Sequence, residues 1–237
     1  MTAKNYVLVH GAFHGGWCWA RVADRLRAAG HRVFSATMTG MGERQHLLSP
    51  ALGMDTWVRD CAAIIESEEL QDVILVGHSF GGFMISGVAD LMPDRLCHLV
   101  YFDAAVPRSG VSYAAAMGPA QWNERLQSVV TVHGTRCVAP PEAQTYGVVD
   151  PADAAWVDRR MTPMPVSLFE DALDLRHPVT HGVPASYVRC SRPALPAVES
   201  SCRYAVKHGW NVVDLPAPHD AMVTHPDEVA AILSAIE

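Results

Sequence analysis

The 237-residue chain carries 18 Lys and Arg against 25 Asp and Glu, a formal charge of −7, and is 49% hydrophobic and 18% charged. That composition excludes disorder, collagen-like repeats and coiled coil, and with no denser basic cluster than Arg21, Arg25 and Arg27 it argues against a nucleic-acid partner. No apolar run approaches the roughly 18 residues of a membrane span, Met1–Asn5 leads into a strand-like run without a signal-peptide core, and Cys18, Cys61, Cys97, Cys137, Cys190 and Cys202 form no CxxC pair, so a cytoplasmic chain with reduced thiols and no membrane or metal partner is expected.

Tyr6–His10 reads as a short strand. A turn through Gly11, Gly15 and Gly16 follows, then a helix on which Trp19, Val22 and Leu26 recur until Gly30 can end it. Arg32–Ala36 reads as the second strand, and Asp55 is placed to cap a helix whose Val58, Cys61, Ala62 and Ile65 form one stripe. Val73-Ile74-Leu75-Val76 is the kind of run buried on both faces of a parallel sheet. It enters Gly77-His78-Ser79-Phe80-Gly81-Gly82 and a helix ending near Met92-Pro93, after which Leu96–Phe102 is again a strand. Between Pro107 and about Pro184 no strand run stands out, and helical stretches at Ala120–Val130 and Pro151–Arg160 carry Trp122 and Trp156. Ala185–Arg189 (strand), Pro196–His208 (helix, with Gly209 beyond) and Asn211–Leu215 (strand) lead to a last helix with Val229, Ile232, Leu233 and Ile236 on one face. Six strands alternating with helices predict an α/β protein with a mostly parallel central sheet. Residues 107–184 are expected to form a helical cap inserted into a core of 1–106 and 185–237, since structureless loops of that length are uncommon.

Gly77-His78-Ser79-Phe80-Gly81 is a G-x-S-x-G between a strand and a helix, where small flanking residues permit a strained turn that lifts a serine hydroxyl above the sheet. A serine hydroxyl needs a base within hydrogen-bond reach. Of 12 histidines, His10, His14 and His78 fall in turns and His133, His177 and His181 in the cap, whereas His219 follows the last strand through Pro216-Ala217-Pro218 at the same sheet edge as Ser79. The first turn, His10-Gly11-Ala12-Phe13-His14-Gly15-Gly16, offers backbone N–H groups that with that of Phe80 can form an oxyanion hole, with Ala12 the preferred donor and Phe13 the reserve. Phe13, Trp122, Trp156 and Met161 are the expected substrate-pocket residues.

His10–Trp17, the GHSFGG elbow, Asp103-Ala104-Ala105-Val106-Pro107 and His219-Asp220-Ala221-Met222 resemble the plant methylesterase/hydroxynitrile lyase group of α/β-hydrolases and its bacterial esterase relatives. The resemblance covers the core, is most specific at the two glycine motifs, and is only positional across the cap. It implies a Ser-His-acid esterase with an α/β-hydrolase fold, a small carboxylic ester as substrate, no cofactor, and often a homodimer. In that family the acid follows the penultimate core strand, but here Arg189 leads into Cys190-Ser191-Arg192-Pro193-Ala194-Leu195-Pro196 with no carboxylate. Asp103, directly after Leu96–Phe102, ranks first as the replacement. Glu199 comes second, Asp214 and Asp220 behind it, and a dyad oriented by Ser191 or water stays open.

The family's lyases resemble one another in a Thr after the first-strand residue and a Lys after the catalytic His. Gly11 and Asp220 stand there instead, which argues against cyanide chemistry. No tyrosine has a Lys four residues on and no acid follows the second strand directly, against a dinucleotide reductase, and Trp17 after Gly16 excludes a P-loop. The expected function is hydrolysis of a small, mostly apolar carboxylic ester through an acyl-enzyme. The alternative, raised by the missing acid, is a non-hydrolytic lyase, cyclase or decarboxylase, or a small-molecule-binding protein on the same fold.

Overall fold

The computed structural model describes residues 3–236. β1 (Asn5–Val9) leads through a tight turn and one 3₁₀ segment to α1 (Ala20–Ala28), then β2 (Arg32–Ala36), α2 (Met54–Ser67), β3 (Val73–His78), α3 (Gly81–Leu91) and β4 (Leu96–Phe102). The chain then leaves the sheet for α4 (Tyr113–Met117), α5 (Pro119–Leu126), β5 (Val129–Val132), β6 (Thr135–Val138), α6 (Pro151–Asp158), β7 (Met164–Pro165) and α7 (Val166–Glu170). It returns as β8 (Ala185–Cys190), α8 (Glu199–Lys207), β9 (Asn211–Leu215), α9 (Ala221–Thr224) and α10 (Pro226–Ser234).

Six strands pair in the order β2-β1-β3-β4-β8-β9, every pairing parallel. All residues of β3 are buried, as expected of a central strand covered by helices on both faces. Trp19, Trp57, Tyr6, Tyr101, Tyr187 and Phe102 are among the largest side chains packed into this core. The parallel arrangement brings the C-terminal ends of β1, β3, β4 and β9 to one edge, the usual ligand-binding edge of such a sheet. Among the described residues no helix is long and apolar enough to cross a membrane.

Residues 107–184 differ from the all-helical expectation, because they contain a three-stranded antiparallel sheet, β5-β6-β7. Val129-Val130-Thr131-Val132 is stiff and β-branched. His133 and Gly134 then turn the chain with φ of 49° and 76°, which suits a two-residue hairpin loop. The expected helix over Ala120–Val130 therefore stops at Leu126. The cap of α2 also differs. Asp55 lies inside the first turn, and the Met54 N–H donates instead to Asp171 Oδ2 at 2.7 Å, a carboxylate contributed by the insertion. Ser167 Oγ donating to the Leu52 carbonyl, the Arg21–Asp153 ion pair and the clamp of Asp90 by Arg176 and His177 further tie the insertion to the core.

Candidate active site

Ser79 stands at the end of β3 with φ of 53°, the left-handed region that a non-glycine residue occupies only when its surroundings enforce it. Its N–H donates to the Phe102 carbonyl, and its own carbonyl accepts from Gly82 and Ala105 N–H, so the turn is pinned to the end of β4. Close packing explains the glycines. A β-carbon on Gly82 would come within 1.9 Å of the Ala105 carbonyl, and one on Gly11 within 2.7 Å of Ser79 Cβ. Phe13 and Asp103 are likewise at positive φ, 67° and 43°, so three of the strained non-glycine residues cluster at this edge.

His219 Nδ1 faces Asp103 Oδ2 at 2.6 Å, both residues buried. Asp103 is itself anchored: its N–H donates to the Val188 carbonyl, and Oδ1 accepts the Cys190 N–H at 3.1 Å. Since a carboxylate accepts, His219 carries its proton on Nδ1 and leaves Nε2 as the basic nitrogen. That Nε2 is buried without a hydrogen-bond partner among the described residues. The other acids expected here are engaged elsewhere. Glu199 pairs with Arg189 and Arg203, Asp214 accepts from Ser191, and Asp220 gives Oδ2 to His14 Nε2, 3.0 Å away, and makes no hydrogen bond with the His219 ring.

Three buried histidines, set aside as turn residues in the sequence, hold the surrounding loops. The Met38 N–H donates to His10 Nε2, which fixes the proton on Nδ1, and Nδ1 donates to the Gly11 carbonyl at 2.7 Å. Because a trans peptide sets its C=O and N–H in opposite directions, anchoring the Gly11 carbonyl aims the Ala12 N–H the other way. His14 Nδ1 donates to the Ala12 carbonyl at 2.8 Å and acts in the same way on the Phe13 N–H. His78 Nε2 donates to the His219 carbonyl at 3.2 Å and steadies the loop that carries that ring. Burial holds His10 neutral, with its pKa pushed down to about 4. Burial and the neighbouring His219 and His14 depress His78 well below the ordinary range. Burial also opposes charge on His14, yet the Asp220 carboxylate outweighs it and raises that pKa. Both His14 nitrogens face acceptors, the arrangement an imidazolium requires.

Neither the Ala12 nor the Phe80 N–H donates to another described residue. Of the expected pocket residues, Phe13 and Trp122 meet on Phe169, with ring centroids 6.0 and 5.5 Å from it. The Phe169 ring in turn packs 5.5 Å from Phe80. Met161 is buried one residue before Thr162, whose N–H donates to the Phe13 carbonyl at 2.9 Å. Trp156 is elsewhere. Its ring meets Trp17, with Arg21 and Arg160 over its face, at the seam between α6 and α1, because the Arg21–Asp153 pair docks α6 there. The sequence reading missed Tyr113, which packs on Phe80, and Tyr146, whose ring lies 5.6 Å from His219. Both are single aromatics without a periodic neighbour, so no pattern marks them.

His78, His219 and Asp220 bring potential metal-ligand atoms within 4.8 Å of one another, as do Asp90, His177 and His181. In the first group His78 Nε2 is committed to the His219 carbonyl, and in the second Arg176 and His177 saturate Asp90. Neither set offers the open, converging lone pairs a cation needs.

Residues 6–232 match the model of a family described as the alpha/beta hydrolase family. The chain is 40% identical to a carbendazim hydrolyzing esterase of Nocardioides sp. (strain SG-4G), with 98% of this chain and 99% of that protein covered. It is 36% identical to Esterase PIR7B of Oryza sativa subsp. japonica over 46% of this chain and 41% of that one. Among solved structures, an extracellular alpha/beta-hydrolase from a Paenibacillus species superposes with a TM-score of 0.82 at 23% identity, with 97% of each chain covered.

Proposed function

The chain belongs to the alpha/beta hydrolase family, and from that premise we propose that it is a carboxylic ester hydrolase that works through a serine nucleophile and an acyl-enzyme. The observation that carries the reading is the 2.6 Å contact of Asp103 Oδ2 with His219 Nδ1, which leaves His219 Nε2 without a hydrogen-bond partner among the described residues, on the sheet edge where the strained Ser79 ends β3. The extended relationship to a named esterase supplies the reaction type.

In this mechanism Ser79 Oγ attacks the ester carbonyl while His219 Nε2 takes its proton. Asp103 keeps the imidazole in the required tautomer and stabilises the imidazolium. The Ala12 and Phe80 N–H groups receive the developing oxyanion, each donor contributing about 3 kcal/mol in the transition state. His219 returns the proton to the departing alcohol, then activates a water that releases the acid from Ser79. The Ser79 hydroxyl must come within hydrogen-bond reach of Nε2 in the substrate complex, where catalytic hydrogen bonds often tighten. The pocket walls from Phe13, Phe80, Phe169, Tyr113 and Trp122 suit an apolar acyl or alcohol group, and residues 107–184 serve as the cap that supplies most of them.

The non-hydrolytic alternative rested on an absent acid, and the contact of Asp103 with His219 supports hydrolysis over it. A cyanide-releasing lyase is disfavoured further, because a threonine at position 11 would need space already taken by Ser79 and His78. The test is a burst of nitrophenol from 4-nitrophenyl acetate. Wild type should show a burst stoichiometric with enzyme, and Ser79→Ala should abolish it with a loss of about 10⁶ in kcat. A surviving burst contradicts the mechanism.

A further inference from the structure

Arg125 is out of keeping with the other half-buried arginines among the described residues. The half-buried Arg21, Arg25, Arg44, Arg95, Arg160 and Arg189 each give guanidinium N–H groups to a carboxylate or carbonyl. Arg125, also half-buried, gives none to any described residue. It lies on α5 three residues after Trp122, hence on the same face, and that face is turned inward because Trp122 is buried against Phe169. Its guanidinium carbon sits 5.9 Å from the centre of the Phe13 ring, in the loop that presents the Ala12 N–H. A cation stacked on aromatic faces is partly stripped of water, and a partly buried guanidinium without an acceptor is unusual.

Two phenols share this space. Tyr113 packs on Phe80 and Tyr146 lies over His219, and neither hydroxyl is hydrogen-bonded to a described residue. Burial pushes both phenols toward the neutral form, with Asp220 adding to this at Tyr146, and the Arg125 charge acts on each in the opposite sense. The unpaired guanidinium on Phe13, the Tyr113 phenol on Phe80 and the Tyr146 phenol on His219 thus each border a residue of the candidate site. On a chain of net charge −7, such a site is not a generic attractor of anions but a local exception.

The geometry points to a substrate class: an ester that carries a second, free carboxylate on its acyl chain, bound by Arg125 with Tyr113 and Tyr146 as flanking donors. A guanidinium is suited to this because its planar fork matches a carboxylate with two parallel N–H···O bonds. The inference rests on the ester-hydrolase reading and makes Arg125 a specificity-determining residue of that site, replacing the mostly apolar ester expected from sequence with a half-ester of a short dicarboxylic acid.

The experiment compares 4-nitrophenyl pentanoate with mono-4-nitrophenyl glutarate, which have the same acyl length and differ in a terminal methyl or carboxylate. Wild type should turn over the glutarate at least as efficiently as the pentanoate. Arg125→Gln should lower kcat/KM for the glutarate about thirtyfold, mainly through KM, and leave the pentanoate within about threefold. Arg125→Lys, which keeps the charge, should recover part of the loss, and pentanoate activity in each variant reports that the fold is intact. Equal changes on both esters, or a glutarate preference that survives Arg125→Gln, overturns the assignment. Failure of the hydrolase reading is distinguishable, since wild type would then release nitrophenol from neither ester.

Discussion

The loops that rise from the parallel sheet and the insertion that folds over them meet at Ser79, but different forces hold them. On the sheet side backbone groups are tied by buried side chains: the Gly11 carbonyl by His10, the Ala12 carbonyl by His14, the His219 carbonyl by His78, and the Cys190 N–H by Asp103. On the insertion side Phe169 is the hub, its ring in contact with Phe13, Phe80, Tyr113 and Trp122, with hydrogen bonds such as Trp122 to Glu170 and Thr162 to the Phe13 carbonyl around it. Hydrogen bonds fix direction, as a transition state demands. Aromatic packing fixes volume, and it can be remodelled without disturbing the chemistry. In the proposed mechanism the directional contacts thus belong mainly to the loops of the sheet and most of the pocket walls to the insertion, with Phe13 and Phe80 where the two meet.

The largest expected effect that tests this division is Phe169→Ala. It should cost about 3–5 kcal/mol of stability by leaving a cavity at the hub, read as a lower urea midpoint, and should raise KM well before it lowers kcat. A fall in kcat with KM unchanged would mean that the insertion shares in the chemistry. On the other side, His10→Gln should lower kcat about thirtyfold with KM nearly unchanged, because the Ala12 N–H loses its aim while substrate contacts stay. A change confined to KM would break the comparison.

Smaller per pH unit is an effect on stability. His10 folds neutral with its pKa at about 4 against an ordinary 6.5, and His78 shifts in the same direction. The unfolded chain therefore binds more protons as pH falls below about 6.5, and stability, intact above that value, declines toward pH 4, by up to about 1.4 kcal/mol per pH unit for each such histidine. Denaturant titrations between pH 4 and 7 should show this slope, and His10→Gln should make it shallower. An identical slope in the variant would show that His10 is not buried neutral.

Much of the fold was legible because the signals were local. Val73–Val76 could only be a buried strand, and the flanking glycines marked the elbow at Ser79. His219 was legible from its place after the last strand. Asp103 was the leading replacement for the missing acid because it directly follows the Leu96–Phe102 strand and keeps the chain order Ser–Asp–His, and the structure puts that strand, β4, between β3 and β8. What escaped depends on distant partners. His10, His14 and His78 look like turn residues until Met38 and Asp220 are brought beside them, because an imidazole's role is set by the tautomer its neighbours impose. The β5–β6 hairpin was hidden by reading helix from Ala120 through Val130, although the β-branched run before His133-Gly134 is a hairpin signal. Trp156 was assigned to the pocket from residue type alone, and an ion pair between α1 and α6 placed it at the seam instead.

The most direct test of the account is the turnover of Asp103→Asn beside Glu199→Gln, with circular dichroism confirming that both are folded. Asp103→Asn should lose activity on the order of 10⁴ in kcat, since an amide cannot hold the His219 imidazole in the tautomer that leaves Nε2 basic, while Glu199→Gln stays near wild type. Near-wild-type turnover by Asp103→Asn would contradict a Ser79-His219-Asp103 mechanism.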